Sequence, residues 1–235
     1  MSNLPKPKTA IYRTTLPSNK QVVQFRPWTI AEEKTLLIAK DDNDPDTART
    51  TLFNVLDACV GDIDAKELPD LDIDWLLFQL SAKSDGEIST LLSNCGSCSH
   101  KMEFHCDKIK DVTVTGDLES LKNDRVQVDD DIWFALRLPT KKDIDDLVND
   151  DLSIEQIIAR CLDMIYTKDE MFSAKEHTVE GLTEYIENEF EKSSLVGVYN
   201  YFKDFPKVVL SHTTKCPKCG NDNTLRIEGF DDFFL

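Results

Sequence analysis

The sequence predicts an α+β fold: an N-terminal hairpin and helices, then a small cysteine-bearing β element split in two by a long α+β insertion. Three observations carry this reading. Short alternating runs bounded by turn residues occur near both ends of the chain. Apolar stripes with helical spacing fill the stretch between residues 29 and 86. Two Cys-x2-Cys pairs, "CGSC" and "CPKC", each lie beside an alternating run, with 117 residues between Cys98 and Cys216.

The elements follow in order. "TAIYRTTLPSNKQVVQFR", residues 9 to 26, reads as a hairpin turning at Pro17 to Asn19. A helix begins at Thr29, because Thr29 and Glu32 have capping-box spacing, in which each side chain bonds the other's unpaired backbone amide. A second helix starts after Asp44, with Pro45 at the first helical position, where the missing amide has no partner to lose. It places Leu52, Val55, Leu56 and Cys59 on one face. A third carries Ile73, Leu76, Leu77 and Leu80 and stops near Gly86. These elements make up residues 1 to 94, ending with the strand "EISTLLSN". After the first cysteine pair, Lys101 to Cys106 alternates, with Met102, Phe104 and Cys106 on one side.

Residues 108 to 206 form the insertion. "VTVTG" and "IWFALRLP" are strands, the latter alternating Ile132, Phe134, Leu136 and Leu138. Three helices follow. Ser153 and Gln156 cap the first. Val179, Leu182, Ile186 and Phe190 stripe the second, and Leu195, Val198, Tyr199 and Phe202 the third. Cys161 shares a helical face with Ile154, Ile158, Leu162 and Ile165, and there, as at Cys59, a free cysteine acts as a small hydrophobe. "VVLSH" returns the chain to the second cysteine pair. No internal repeat is visible, and neither His177 nor His212 has a partner pattern.

The cysteines carry the chemistry. The N-terminal stretch lacks the apolar core of a secretion signal, so seven cysteines point to a reducing compartment, where close pairs are metal ligands or redox thiols. Cys95, Cys98, Cys216 and Cys219 are expected to bind one structural zinc, an ion suited to four thiolates in a tetrahedron. Gly96 and Gly220 flank the pairs, and glycine permits the tight turn that lets two thiolates converge. Two such knuckles beside strands are the parts of a zinc ribbon, here divided between residues 95–107 and 207–235. A compact ribbon separates its pairs by about 15–20 residues, so the ion would staple distant segments. Other readings stand beside this one: a ribbon without metal, thiols that are merely reduced, or a site that recruits Cys106, His100 or His105. A redox pair needs a low-pKa thiolate, usually at a helix N-terminus, whereas these pairs border strands. Four thiolates leave no open position for hydrolysis.

Charge narrows the functions further. The chain holds 44 acidic and 27 basic residues, for a net charge of -17. Such a body repels phosphate backbones and anionic lipid headgroups, and no run approaches the roughly 18 apolar residues of a spanning helix. An anisotropy titration near physiological salt is therefore expected to detect no binding to duplex DNA. Micromolar affinity that weakens steeply with salt would overturn this and favour the alternative of a zinc-ribbon transcription regulator. A thiol redox protein is the other alternative. No Gly-rich phosphate loop, H-E-x-x-H or G-x-S-x-G is present, so neither catalysis nor a small-molecule substrate is expected.

Four stretches carry a family resemblance: "VVQFRPWTIAEEKTLLIAK", "LPDLDIDWLLFQLSAKSDGE", the "CGSC" knuckle directly after it, and "CPKCGNDNTLRIEGFDDFF". In order and approximate spacing they resemble the baseplate proteins of T4-like contractile-tailed bacteriophages, those of the baseplate hub and its assembly. The match is most specific over residues 22 to 98 and 216 to 235. The resemblance implies a protein without enzymatic activity whose partners are other hub proteins. It would act in the host bacterial cytoplasm during assembly, or in the virion tail baseplate, without nucleic acid, membrane or small-molecule substrate. The final "FDDFFL" sets Phe230, Phe233, Phe234 and Leu235 close together. They either pack back onto the first helices, as apolar clusters do, or form a docking tail for a hub partner, since aromatics are enriched in interface cores.

Overall fold

The structure, a computed structural model, describes residues 7–41, 44–116, 125–144, 152–203 and 205–230. It is an α+β chain of small antiparallel sheets and helices. It divides into two compact units: residues 1–65, 71–115 and 207–235, and residues 66–70 and 116–206.

In the first unit, β1 (Tyr12–Thr15) and β2 (Val22–Phe25) form the N-terminal hairpin, in register Tyr12↔Phe25 to Thr15↔Val22. Val23 and Phe25 point inward, as alternation requires. Helix α1 (Ile30–Asp41) opens on the expected capping box: the Glu32 N–H donates to Thr29 Oγ1 (3.3 Å) and the Thr29 N–H to Glu32 Oε2 (2.7 Å). Helix α2 (Pro45–Cys59) is capped by Asp44, starts on its proline and buries Phe53, Val55, Leu56 and Cys59. Leu52 is only half-buried.

Helix α3 (Asp70–Ser84) is buried over most of its circumference: Leu71, Ile73, Leu76, Leu77, Phe78 and Leu80 are all inside. That is the signature of a central helix rather than of one resting on a surface. Its buried polar groups are satisfied, as burial demands. Asp72 accepts from the Ser18 N–H (3.0 Å) and the Ser18 hydroxyl, while Trp75 Nε1 donates to Thr14 Oγ1 (2.9 Å). All three bonds tie the hairpin to α3. Burial pushes the Asp72 carboxyl up against the pull of the two Ser18 donors. The buried Lys108 ammonium donates to Ser81 Oγ (2.8 Å) and to the Ser81 carbonyl (3.2 Å). After α3 come β3 (Ile88–Asn94) paired with β4 (Lys101–Asp107), then a three-stranded sheet in which β10 (Lys207–Lys215) lies between β5 (Val112–Thr115) and β11 (Asp222–Glu228). Strand β5 lies within the 108–206 stretch of the sequence and pairs with β10 from Lys207↔Thr115 to Leu210↔Val112.

The Arg26 guanidinium beside Glu32 holds that carboxyl at about 2, below its ordinary 4.5, against a smaller opposing effect of burial. A depressed folded-state pKa stabilises the protein above the unfolded value, and that contribution disappears as pH falls through the folded one. Denaturant titrations of wild type and Glu32→Gln are therefore expected to differ most near neutrality and to converge between about pH 4.5 and 2. A stability gap that is unchanged across that window would count against the pairing.

The second unit is a four-stranded meander with helices. Its strands are β6 (Arg125–Asp129), β7 (Ile132–Leu136), β8 (Leu162–Thr167) and β9 (Met171–Ser173), in that spatial order. Helices α4 (Ile154–Cys161), α5 (Val179–Glu189) and α6 (Val196–Lys203) complete it. The core joins Phe134, Leu136, Ile158, Leu162, Ile186 and Val198. The Ser153–Gln156 capping box opens α4 as expected. The expectation of one helical face running from Ile154 through Leu162 to Ile165 fails. The helix stops at Cys161, and the next residue starts β8. A register shift between Ala135 and Leu136 displaces the β8 pairing, so that Leu162 and Ile165 are both buried at a spacing of three. That spacing imitates a helix.

Candidate metal centre

Each cysteine pair sits in the turn of an antiparallel hairpin. Register Asn94↔Lys101 closes the first turn over residues 95 to 100, and Lys215↔Asp222 closes the second over 216 to 221. The two turns share one backbone pattern. The Cys95 N–H donates to the His100 carbonyl (2.8 Å) and the Ser99 N–H to the Cys95 carbonyl (2.9 Å). In the second turn the Cys216 N–H donates to the Asn221 carbonyl (2.8 Å) and the Gly220 N–H to the Cys216 carbonyl (2.9 Å). The residue after the second cysteine is left-handed in both, Ser99 at φ 55° and Gly220 at φ 76°. Gly220 therefore has the conformational role expected of it, but Gly96 does not: in the first knuckle a serine takes the left-handed position. Gly96 instead donates its N–H to Asn223 Oδ1 (3.0 Å), which ties one knuckle to the other. A second tie runs from Asn221 Nδ2 to Ser97 Oγ. Sequence reasoning missed Ser97, Ser99, Asn221 and Asn223. Superposing "CGSCSH" on "CPKCGN" would have pointed to the shared turn.

The four sulfurs converge. Cys95, Cys98, Cys216 and Cys219 place all their Sγ atoms within 4.8 Å of one another, the only such cluster of potential ligands among the described residues. Cys95 to Cys219 and Cys98 to Cys216 are each 3.7 Å apart. That is well beyond the roughly 2.05 Å of an S–S bond. It matches the edge of a tetrahedron whose centre lies about 2.3 Å from each sulfur, which is about 3.8 Å. The donor set therefore fits a tetrahedral, thiolate-bound ion. Cys106, His100 and His105 lie outside the cluster. Cys106 is fully buried beside Phe104, and burial pushes its thiol up to about 11. His105 is exposed and faces Thr90.

Electrostatics points the same way. The N–H groups of Ser97 and Cys98 hold the Cys95 thiol down at about 6 from its ordinary 9.0. At Cys216, burial raises the thiol, but the N–H groups of Cys219 and Lys218 bring it below the ordinary value. The Asn221 N–H pulls Cys219 down, yet burial and the three neighbouring sulfurs push it up to about 12. Four thiolates cannot all ionise side by side on their own, whereas a dication at their centre would stabilise every one. Cys59 and Cys161 are buried and raised to about 11 and 12, which leaves them inert.

Phe230 is 4% exposed, edge-on to Phe78 with ring centroids 5.1 Å apart, and its N–H donates to Asp74 Oδ1 (3.0 Å). Of the two readings of the tail, its ring thus has the core one, on α3. Phe233, Phe234 and Leu235 lie outside the described residues. His212, for which no partner was expected, sets Nδ1 2.7 Å from Asp111 Oδ2. No helix among the described residues is long and apolar enough to cross a membrane.

Comparison with known proteins gives two matches. A family model described as T4 bacteriophage base plate protein matches residues 9–235. The baseplate hub assembly protein gp26 of Enterobacteria phage T4 is 22% identical over 223 residues, covering 95% of this chain and 97% of that protein. No solved structure matches.

Proposed function

The chain belongs to the T4 bacteriophage base plate protein family, and from that premise we propose that it is a non-enzymatic assembly or structural protein of the tail baseplate hub, acting by binding other hub proteins. A structural or assembly role in a phage baseplate follows from the family. The assignment to the hub is supported by the end-to-end correspondence with a protein described as a hub assembly protein, 95% of one chain against 97% of the other. The cysteine centre agrees with a role that needs rigidity rather than catalysis. Cys95, Cys98, Cys216 and Cys219 hold one structural zinc in this reading. Four thiolates fill its coordination, so the ion contributes folding free energy and leaves no position for substrate. Phe233, Phe234 and Leu235 are the proposed partner contact. The negative charge speeds encounter with basic surfaces and disfavours wrong partners. The protein works in the host bacterial cytoplasm while hubs form.

An amber mutation in the gene, followed by electron microscopy of infected-cell lysates, tests the role. Lysates without complete baseplates are expected. Normal tails with complete baseplates would refute an assembly function. Mass spectrometry of purified tails then separates a hub component, which stays in the virion, from an assembly factor, which does not.

A further inference from the structure

The two units share a motif that sequence inspection did not reveal. In the first, Arg26 follows directly on β2. It donates from Nη1 to the Pro27 carbonyl (3.0 Å) and to Glu32 Oε2 (2.9 Å), and from Nη2 to Glu32 Oε1 (2.6 Å). The same carboxylate accepts from the Thr29 N–H (2.7 Å) and Thr29 Oγ1 (2.9 Å), and the Glu32 N–H donates back to Thr29 Oγ1 (3.3 Å). The Arg26 N–H donates to the carbonyl of Cys59, the last residue of α2 (2.9 Å), and the next residue, Val60, bridges back to Phe25.

In the second unit, Arg137 follows directly on β7. It donates from Nη1 to the Leu138 carbonyl (3.0 Å) and to Asp143 Oδ2 (2.7 Å). That carboxylate accepts from the Thr140 N–H (2.8 Å) and Thr140 Oγ1 (2.8 Å), and the Asp143 N–H donates back to Thr140 Oγ1 (3.3 Å). The Arg137 N–H donates to the carbonyl of Cys161, the last residue of α4 (2.8 Å), and the next residue, Leu162, pairs with Leu136.

Position by position, Arg26, Thr29, Glu32 and Cys59 correspond to Arg137, Thr140, Asp143 and Cys161. The chain order matches too: hairpin, arginine, threonine three residues on, carboxylate six residues on, a helix that buries a cysteine at its end, and a return to the hairpin's second strand. A capping box alone is common, and so is an arginine–carboxylate pair. Here both occur on one carboxylate, on the same framework, with the same strand-to-helix bond closing the figure. The one chemical difference is compensated. Asp143 is a methylene shorter and takes only Nη1, so Arg137 Nη2 turns to the Arg160 carbonyl (2.8 Å).

We propose that the chain contains two copies of one folding module, hairpin–arginine clasp–helices–strand, one in each unit, and that the clasp in each copy locks the returning strand to its own hairpin. The cysteines are part of that architecture, placed where helix gives way to strand, and not redox groups.

Native-state hydrogen–deuterium exchange on the full chain tests this. Arg26→Gln is expected to speed exchange about tenfold or more at the amides of Thr29, Glu32 and residue 26, because removing one partner of a half-buried ion pair strands the other. The amides of Thr140, Asp143 and Arg137 should stay as protected as in wild type. Arg137→Gln should give the mirror pattern, and Arg137→Lys, which keeps the charge but loses the planar fork, serves if the glutamine variant does not fold. Glu32→Asp and Asp143→Glu, which give each copy the other's carboxylate, should retain protection. Unchanged exchange at these amides, equal acceleration in both units, or loss of protection on interchanging the carboxylates would each overturn the proposal.

Discussion

Cys216→Ser is expected to take the bound metal from one equivalent to none and to unfold the hairpins of the cysteine centre. Cys216 is 2% exposed, its sulfur lies 3.7 Å from that of Cys98, and its thiol is held low by the N–H groups of Cys219 and Lys218. Removing it leaves three ligands and one buried hydroxyl. Structural zinc in small peptides contributes on the order of 10 kcal/mol, comparable with the roughly 5–15 kcal/mol of a whole domain. The loss is therefore expected to appear as melting of the first unit, and a chelator should produce the same change in wild type. Cys59→Ser is the control. Cys59 lies beside Glu32, outside the cluster, and its replacement should leave metal content unchanged. Elemental analysis of fresh protein and thermal melts read both. Less than half an equivalent of any metal in wild type, or a Cys216→Ser melt that superposes on it, would refute the centre.

Phe230→Ala is expected to lower unfolding free energy by about 3–5 kcal/mol, the usual consequence of emptying a buried phenylalanine site. The ring lies edge-on to Phe78, which is itself fully buried, and the preceding Gly229 adopts φ 73° where a Cβ would come within 3.0 Å of the Asp74 carboxylate. The backbone is thus shaped to deliver this one ring. Removing residues 231 to 235 should separate the two roles of the tail. Denaturant midpoints should barely move, while capture of purified hub proteins should be lost. A truncated protein that still binds them would remove Phe233, Phe234 and Leu235 from the interface. A Phe230→Ala protein as stable as wild type would remove Phe230 from the core.

Much of the fold was legible because several elements announce their own ends. Thr29 with Glu32, Asp44 with Pro45, and Ser153 with Gln156 each begin a helix where local chemistry says they should. The four cysteines were legible because two Cys-x2-Cys pairs in one chain have few uses besides metal binding and redox chemistry. What stayed hidden depended on tertiary context. Leu162 and Ile165 keep helical spacing because a bulge moves the register of β8, and nothing local distinguishes this from a helix. Ser99 takes the left-handed turn position that glycine was expected to fill, because the hydrogen bonds of the knuckle over-determine that conformation. The paired clasps escaped notice because only arginine, threonine and a carboxylate recur along the sequence. Their equivalence lies in the bonds they make and in cysteines that follow at unequal distances.

The separation of the ligands also sets an order of events during synthesis. The ribosome must add 117 residues after Cys98 before Cys216 exists, which at about 5–20 residues per second takes roughly 6–25 s. The whole 116–206 segment of the second unit is synthesised within that interval, while the first knuckle waits with only half of the four cysteines. On the proposed zinc reading, closing the centre is a late event of synthesis, and a nascent chain truncated anywhere before Cys216 could never complete the four-sulfur cluster.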